Sequence, residues 1–140
     1  MTRREAREQA FMIIFEWEFQ QSGVEEIIKN AEIGRELTVD GYARQLSQEV
    51  VEHMDIIDGK IDVFSTKWKR RRIAKVSLAV LRTALGEMLY IRDVPTSVAI
   101  NEAVELAKKY ATEADASYIN GVLGGAARAM EAAQAGEAKQ

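Results

Sequence analysis

The residues best equipped for chemistry in this chain are cations, and they fall in two clusters. Near the start, Arg3, Arg4 and Arg7 lie in the run RREAR. On a helix, Arg3 and Arg7 are four apart and Arg4 and Arg7 three apart, so all three share one side of the first turns. Cations are unfavourable there, because the free N–H groups of a helix start already carry partial positive charge. A bound anion reverses that sign, since N–H and guanidinium groups then converge on it. The chemistry on offer is phosphate binding. The competing reading is an exposed helix end with Arg4 paired to Glu8.

The second cluster, KWKRRRIAK at 67–75, holds six basic residues in nine positions, with Lys69, Arg70, Arg71 and Arg72 at its centre and Trp68 among them. Cations around an aromatic ring suit single-stranded nucleic acid, where phosphates meet charge and bases stack. A solvated basic linker is the competing reading. Trp68 also continues the apolar stripe of the preceding helix, which favours a place in the core. Phe15 is the better stacking candidate, beyond the arginine turn and at the edge of the first helix's apolar face. Core packing competes for it as well.

Catalytic patterns are missing. His53 is the one histidine, and no serine or carboxylate pattern marks it as a base. The chain has no cysteine, which excludes a disulfide framework, a thiolate zinc site and a cysteine nucleophile. The glycines at 121–125 follow no strand and lack the Lys-Ser/Thr ending of a phosphate loop. Asp55, Asp58 and Asp62 are spaced along a helix and not as in a calcium loop, so capping and a solvated face explain them. No catalytic residue, metal or cofactor is expected.

The elements that must position the cations read as helices almost throughout. Ala6, Ala10, Ile13, Ile14 and Trp17 recur at helical spacing over about Arg3–Gln21, and Ser22-Gly23 ends that run. A short helix follows at about Val24–Ile33. Asp40 is a candidate N-cap for a third, about Gly41–His53. Its stripe continues through Ile57, Ile61, Phe64 and Trp68, so one long helix is an alternative to the preferred break near Asp55, which opens a fourth at Ile56–Thr66. The fifth, about Ala74–Arg92, ends where Pro95 disfavours helix at Val94. The sixth and seventh run over about Ser97–Tyr110 and Asp115–Ala132. Gly121, Gly124 and Gly125 each cost the last helix about 1 kcal/mol relative to Ala, which predicts close backbone approach on that face. The fold class is all-α, with seven helices in two small bundles packed together. One domain is expected over 1–132, with subdomains of about 1–54 and 55–132 and a frayed tail at 133–140.

The 140 residues are 47% hydrophobic and 29% charged, the balance of a soluble globular domain. The net charge of −3 hides a division. Residues 1–66 carry 7 Lys/Arg against 14 Asp/Glu, whereas residues 67–92 carry 8 against 1. Such a chain binds a polyanion locally, through one segment. No run of about 18 apolar residues predicts a membrane span, and the polar start has no signal-peptide core behind it. A cytoplasmic protein that binds no membrane, as a monomer or homodimer, is expected.

Taken together, these residues give a chain that resembles the NusB family of bacterial transcription antitermination factors. The resemblance covers about Arg3–Met130. It rests on RREAR, IDGKID at 57–62, Trp68, LRTALGEM at 81–88, VPTSVAINEAVELAKKY at 94–110 and INGVL at 119–123, in order. It implies a fold of two helical subdomains and binding of single-stranded boxA RNA. It implies NusE as a partner, the small-subunit ribosomal protein, with NusA, NusG and RNA polymerase in the larger complex. No catalysis is implied.

By position, Arg3, Arg4 and Arg7 match the family's arginine-rich RNA-binding motif. Phe15 falls near the RNA and partner surfaces. Arg82 matches an arginine near the RNA face or in a structural pair. Glu87 matches the acidic position facing NusE, and its step of three from Ala84 places it at the border of a buried stripe. Gly124 stands at the RNA edge where relatives often carry Asp or Asn, and Gly86 where an aromatic is frequent on the partner-facing surface. The same domain type forms the RNA-binding part of ribosomal RNA cytosine methyltransferases, which need catalytic cysteines that this chain lacks. A stand-alone relative of that RNA-binding part is one alternative, and a helical protein-interaction bundle without RNA binding is the other.

Overall fold

The computed structural model describes residues 1–35 and 37–138. Among them the chain forms seven α-helices and no strand: α1 (Arg3–Gln20), α2 (Val24–Arg35), α3 (Gly41–Glu52), α4 (Met54–Phe64), α5 (Lys75–Tyr90), α6 (Thr96–Tyr110) and α7 (Glu113–Ala138). A 3-10 turn, Arg70–Arg72, interrupts the link from α4 to α5.

Local chemistry explains most boundaries. The Thr2 hydroxyl accepts from the Glu5 amide at 3.1 Å and caps α1. That helix ends where Gln21 turns left-handed, at φ 50°, just before the expected Ser22-Gly23. The Asp40 carboxylate caps α3 by accepting from the Tyr42 amide at 2.9 Å. The break between α3 and α4 falls at His53 and not at Asp55, whose carboxylate sits inside the first turn of α4. The His53 ring stacks on Tyr90, 3.9 Å between centroids. Before α6, Asp93 takes a left-handed φ of 67°, which its short polar side chain tolerates. The α7 helix continues past the expected end at Ala132 through Ala138, so 133–138 is helical. The last part of the expected frayed tail, 139–140, lies outside the described residues.

The core is organised around α5, which packs on α1, α3, α4, α6 and α7. Around it, α1, α2 and α3 form one group, and α4, α6 and α7 the other. Every residue of α5 from Ser77 to Met88 is buried, so the helix has no solvent face over three turns. Its polar members therefore need internal partners, which Arg82, Thr83 and Glu87 have and the Ser77 hydroxyl, among the described residues, lacks. Two glycines permit close approaches. A Cβ on Gly86 would stand 2.3 Å from Cγ2 of Val50, so α5 and α3 cross only because that side chain is missing. Gly86 thus faces α3, and the expected effect on a partner-facing surface does not arise. On α7, a Cβ on Gly125 would lie 3.2 Å from the Phe64 ring, whereas Gly121 faces open space. Close approach therefore explains Gly125 and not Gly121.

Candidate nucleic-acid interface

The start of α1 presents two of its three arginines. The Arg3 guanidinium lies 3.7 Å from the centroid of the Tyr42 ring. Arg4 donates to both carboxylate oxygens of Glu102 on α6, at 2.9 and 3.0 Å, yet its side chain stays 66% exposed. Glu8, its expected partner, instead accepts from Lys109 and Tyr110. Burial opposes the charge of Glu8, but those hydrogen bonds outweigh it and hold the carboxyl below its usual range.

Arg7 turns inward. Its Nε lies 2.8 Å from each carboxylate oxygen of Glu87, and the Tyr42 hydroxyl donates to the same carboxylate. The Arg7 and Glu87 side chains are only 10% and 2% exposed. Burial, and then the Glu87 carboxylate, push the Tyr42 phenol up to about 12, so it remains a donor. Two expectations are corrected here. Arg7 does not share an open surface with Arg3 and Arg4, because Arg7, Phe11 and Ile14 recur at i, i+4 and i+7 on the buried stripe of α1. Glu87 does not stand at a rim, because the position bordering one stripe of α5 faces a further helix.

At the other end of α1 an open cleft of about 930 Å³ lies between that helix, α4 and the basic segment. Its floor is a charge network centred on Arg82, which is 6% exposed. Arg82 donates through Nε and Nη2 to Asp58, both at 2.9 Å, and through Nη1 to Glu18 at 2.5 Å. Lys75 joins Glu18 at 2.9 Å, and Arg70 joins Asp62 at 3.0 Å. Burial disfavours the charged form of Glu18, but hydrogen bonds from Arg82 and Lys75 prevail and lower its titration below the usual carboxylate range. Arg82 is thus a structural pair at the base of the cleft, with each of its three nitrogens donating to a carboxylate.

The basic segment is therefore not uniform. Arg70 and Lys75 are tied to carboxylates, whereas Lys69, Arg71 and Arg72 are exposed with no acidic partner among the described residues. Trp68 is 38% exposed, contrary to the expected core position. The stripe that predicted burial is a helical pattern, and α4 ends at Phe64, so its phase does not carry to Trp68. The indole meets the Tyr118 ring edge-on at 4.9 Å, and the Lys67 ammonium lies 4.4 Å from its centroid.

Phe15 is half-buried, stacked on Phe11 at 6.4 Å and edge-on to Phe19 at 5.1 Å. Phe19, which sequence reasoning passed over, is 64% exposed. Gly124 is half-buried on α7 beside its own Arg128, and a Cβ there would meet the Arg128 Nη1 at 3.4 Å. Arg3 and Arg4 are separated from the cleft by the length of α1. From Arg4 to Glu18 is about 21 Å along the axis. The predicted cations therefore form two separate sites, one for each cluster. As for metals, Glu49, Glu52 and His53 bring three ligand-type atoms within 4.8 Å at the surface. His53 Nδ1 lies 2.9 Å from the Glu49 carbonyl, as fits a helix-end contact.

Fold and site together define a seven-helix, all-α protein with two separate cationic surfaces. The NusB family model matches residues 4–128, and the chain belongs to the NusB family. The transcription antitermination protein NusB of Acetivibrio thermocellus is 44% identical over 126 residues, spanning 89% of this chain and 87% of that protein. That of Bacillus subtilis (strain 168) is 41% identical over 123 residues, 88% of this chain and 92% of that protein. Among solved structures, the fold is similar to a chain in the crystal structure of antitermination factors NusB and NusE in complex with dsRNA. The TM-score is 0.80 at 25% identity, over 92% of this chain and 99% of that one. T. maritima NusB gives a TM-score of 0.72 at 32% identity, over 88% of each chain.

Proposed function

We propose that this protein is a transcription antitermination factor that binds single-stranded boxA RNA together with NusE. In this reading the pair works in the cytoplasm, within an RNA polymerase complex that also holds NusA and NusG. The role is binding, without a catalysed step. The observation that carries the reading is family membership across residues 4–128. Similarity to a structure of NusB and NusE with dsRNA supports it. Within the chain, exposed Arg3 and Arg4 supply one phosphate-binding surface. Lys69, Arg71 and Arg72 supply the other. Phe15 and Gly124 lie at the edge of the bound strand, and NusE docks elsewhere than on the sealed Glu87 carboxylate. The domain is one unit of two subdomains, about 1–54 and 55–132, joined through α5.

The methyltransferase alternative is disfavoured by the relatives themselves, which are transcription antitermination proteins matched over 87% and 92% of their own lengths. The test is a titration of fluorescently labelled boxA RNA, with and without NusE. Binding that tightens with NusE is expected. Replacing Arg3 and Arg4 by Ala should weaken it without loss of helical content. No binding in either case would leave the protein-interaction bundle as the reading.

A further inference from the structure

Trp68 is an exposed indole that the fold nevertheless holds in place. The Ser65 hydroxyl donates to the Trp68 carbonyl at 2.5 Å and is itself hydrogen-bonded to the Tyr118 hydroxyl. That Tyr118 ring braces the indole edge-on. A few residues on, the 3-10 turn is anchored by Ile73, which is 4% exposed. The backbone on both sides of Trp68 is thus tied to the core while its ring stays at the cleft mouth. An aromatic ring fixed before binding loses little freedom when a ligand stacks on it. Its one charged cover among the described residues is Lys67, an exposed cation whose hold on the ring is weaker than base stacking. Lys69 and Arg71 line the same cleft as the ring, without acidic partners among the described residues. Residues 67–72 hold five cations and no carboxylate in a chain of net charge −3.

We propose that Trp68 is a stacking platform for an unpaired nucleobase, with Lys69 and Arg71 on the adjoining phosphates. The proposal rests on the RNA-binding reading above and adds a second contact region to it. An acidic peptide would satisfy the cations but has no flat ring for the indole. A duplex satisfies the cations too, but its bases are already stacked. The cleft therefore favours a single strand. Because this end of α1 lies about 21 Å from Arg4, one strand engaging both regions gains by linkage, and a strand too short to reach loses that gain.

The test uses the full chain and labelled single-stranded boxA RNA, followed by anisotropy and by tryptophan emission. Wild-type emission should fall on binding. In Trp68→Phe, which keeps a ring, affinity should stay near wild type while most of the emission change disappears, since Trp17 alone remains. Trp68→Leu should weaken binding at least about fivefold. A duplex of the same sequence should quench little. Equal affinity in Trp68→Leu, together with the same quenching in Trp68→Phe, would overturn the platform while leaving RNA binding intact. Absence of any RNA binding by the wild type, with NusE present, would overturn the functional reading itself. Quenching by NusE and not by RNA would make this face a protein contact and also overturn the proposal.

Discussion

At one end of α1 a guanidinium and a carboxylate are sealed from water, and at the other the same groups line an open cleft. Arg7 and Glu87 are 10% and 2% exposed and meet with Tyr42 as the only further partner among the described residues. Arg82 is more buried than Arg7, at 6%, but Glu18 and Asp58 are 16% and 13% exposed and also reach Lys75 and Arg70. The difference lies in how many partners survive the loss of one. A sealed pair leaves a naked charge when broken. A wet network leaves its carboxylates with a second cation and with water. The first arrangement holds α1 to α5. The second does that and also forms the base of a surface open to ligand.

The largest expected effect comes from breaking the sealed pair. Glu87→Ala or Arg7→Ala should each lose about 3–5 kcal/mol in urea unfolding. The double variant Arg7→Met, Glu87→Leu should recover most of it, because two apolar groups leave no unpaired charge. Glu87→Lys should compromise the whole fold and not one partner surface. Single variants within 1 kcal/mol of wild type by the same measurement would erase the contrast between the two ends.

The cleft network should respond more mildly. Arg82→Ala is expected to cost about 1–3 kcal/mol, a buried guanidinium lost from carboxylates that keep other partners. Lys75→Ala, at an exposed ammonium, should cost no more than about 1 kcal/mol in the same urea titration. A larger loss at Lys75 than at Arg82 would reverse the picture.

Acid sharpens the comparison further. Glu8 and Glu18 titrate below their ordinary value of 4.5 in the folded chain. Each therefore contributes stability that is fully present above about pH 4.5 and is lost as pH falls through the lower folded value. Urea midpoints measured from pH 6 to pH 3 should fall, and Glu18→Gln should flatten part of that fall. An unchanged profile in Glu18→Gln would remove the cleft network from the account.

How much of this was legible beforehand follows from range. The helices were, because apolar spacing and caps such as Asp40 act within a few residues. The arginine turn was half legible. Arg3 and Arg4 are exposed as charge suggested, while Arg7 shares the spacing of Phe11 and Ile14, a signal present in the sequence and outweighed by its charge. Glu87 and Arg82 were opaque for a different reason. Their partners lie 80 positions away for Glu87, and 24 and 64 positions away for Arg82. Periodicity also assumes a solvent face that α5 lacks. The one local hint was the small residues Ala79, Ala84 and Gly86, which let helices crowd around it. Trp68 was misplaced because a helical phase was extended past Phe64, where the helix ends.

The central claim is that the unpaired cations at the cleft end of α1 bind RNA phosphates while the paired ones hold the fold. Its most direct test is the salt dependence of boxA RNA binding by wild type and by the triple variant Lys69→Gln, Arg71→Gln, Arg72→Gln. For a single strand each neutralised phosphate contributes about −0.7 to the slope of log K against log salt. The slope should be shallower by about 1–2 in the variant, with urea stability within about 0.5 kcal/mol of wild type. The same slope in both proteins would contradict it.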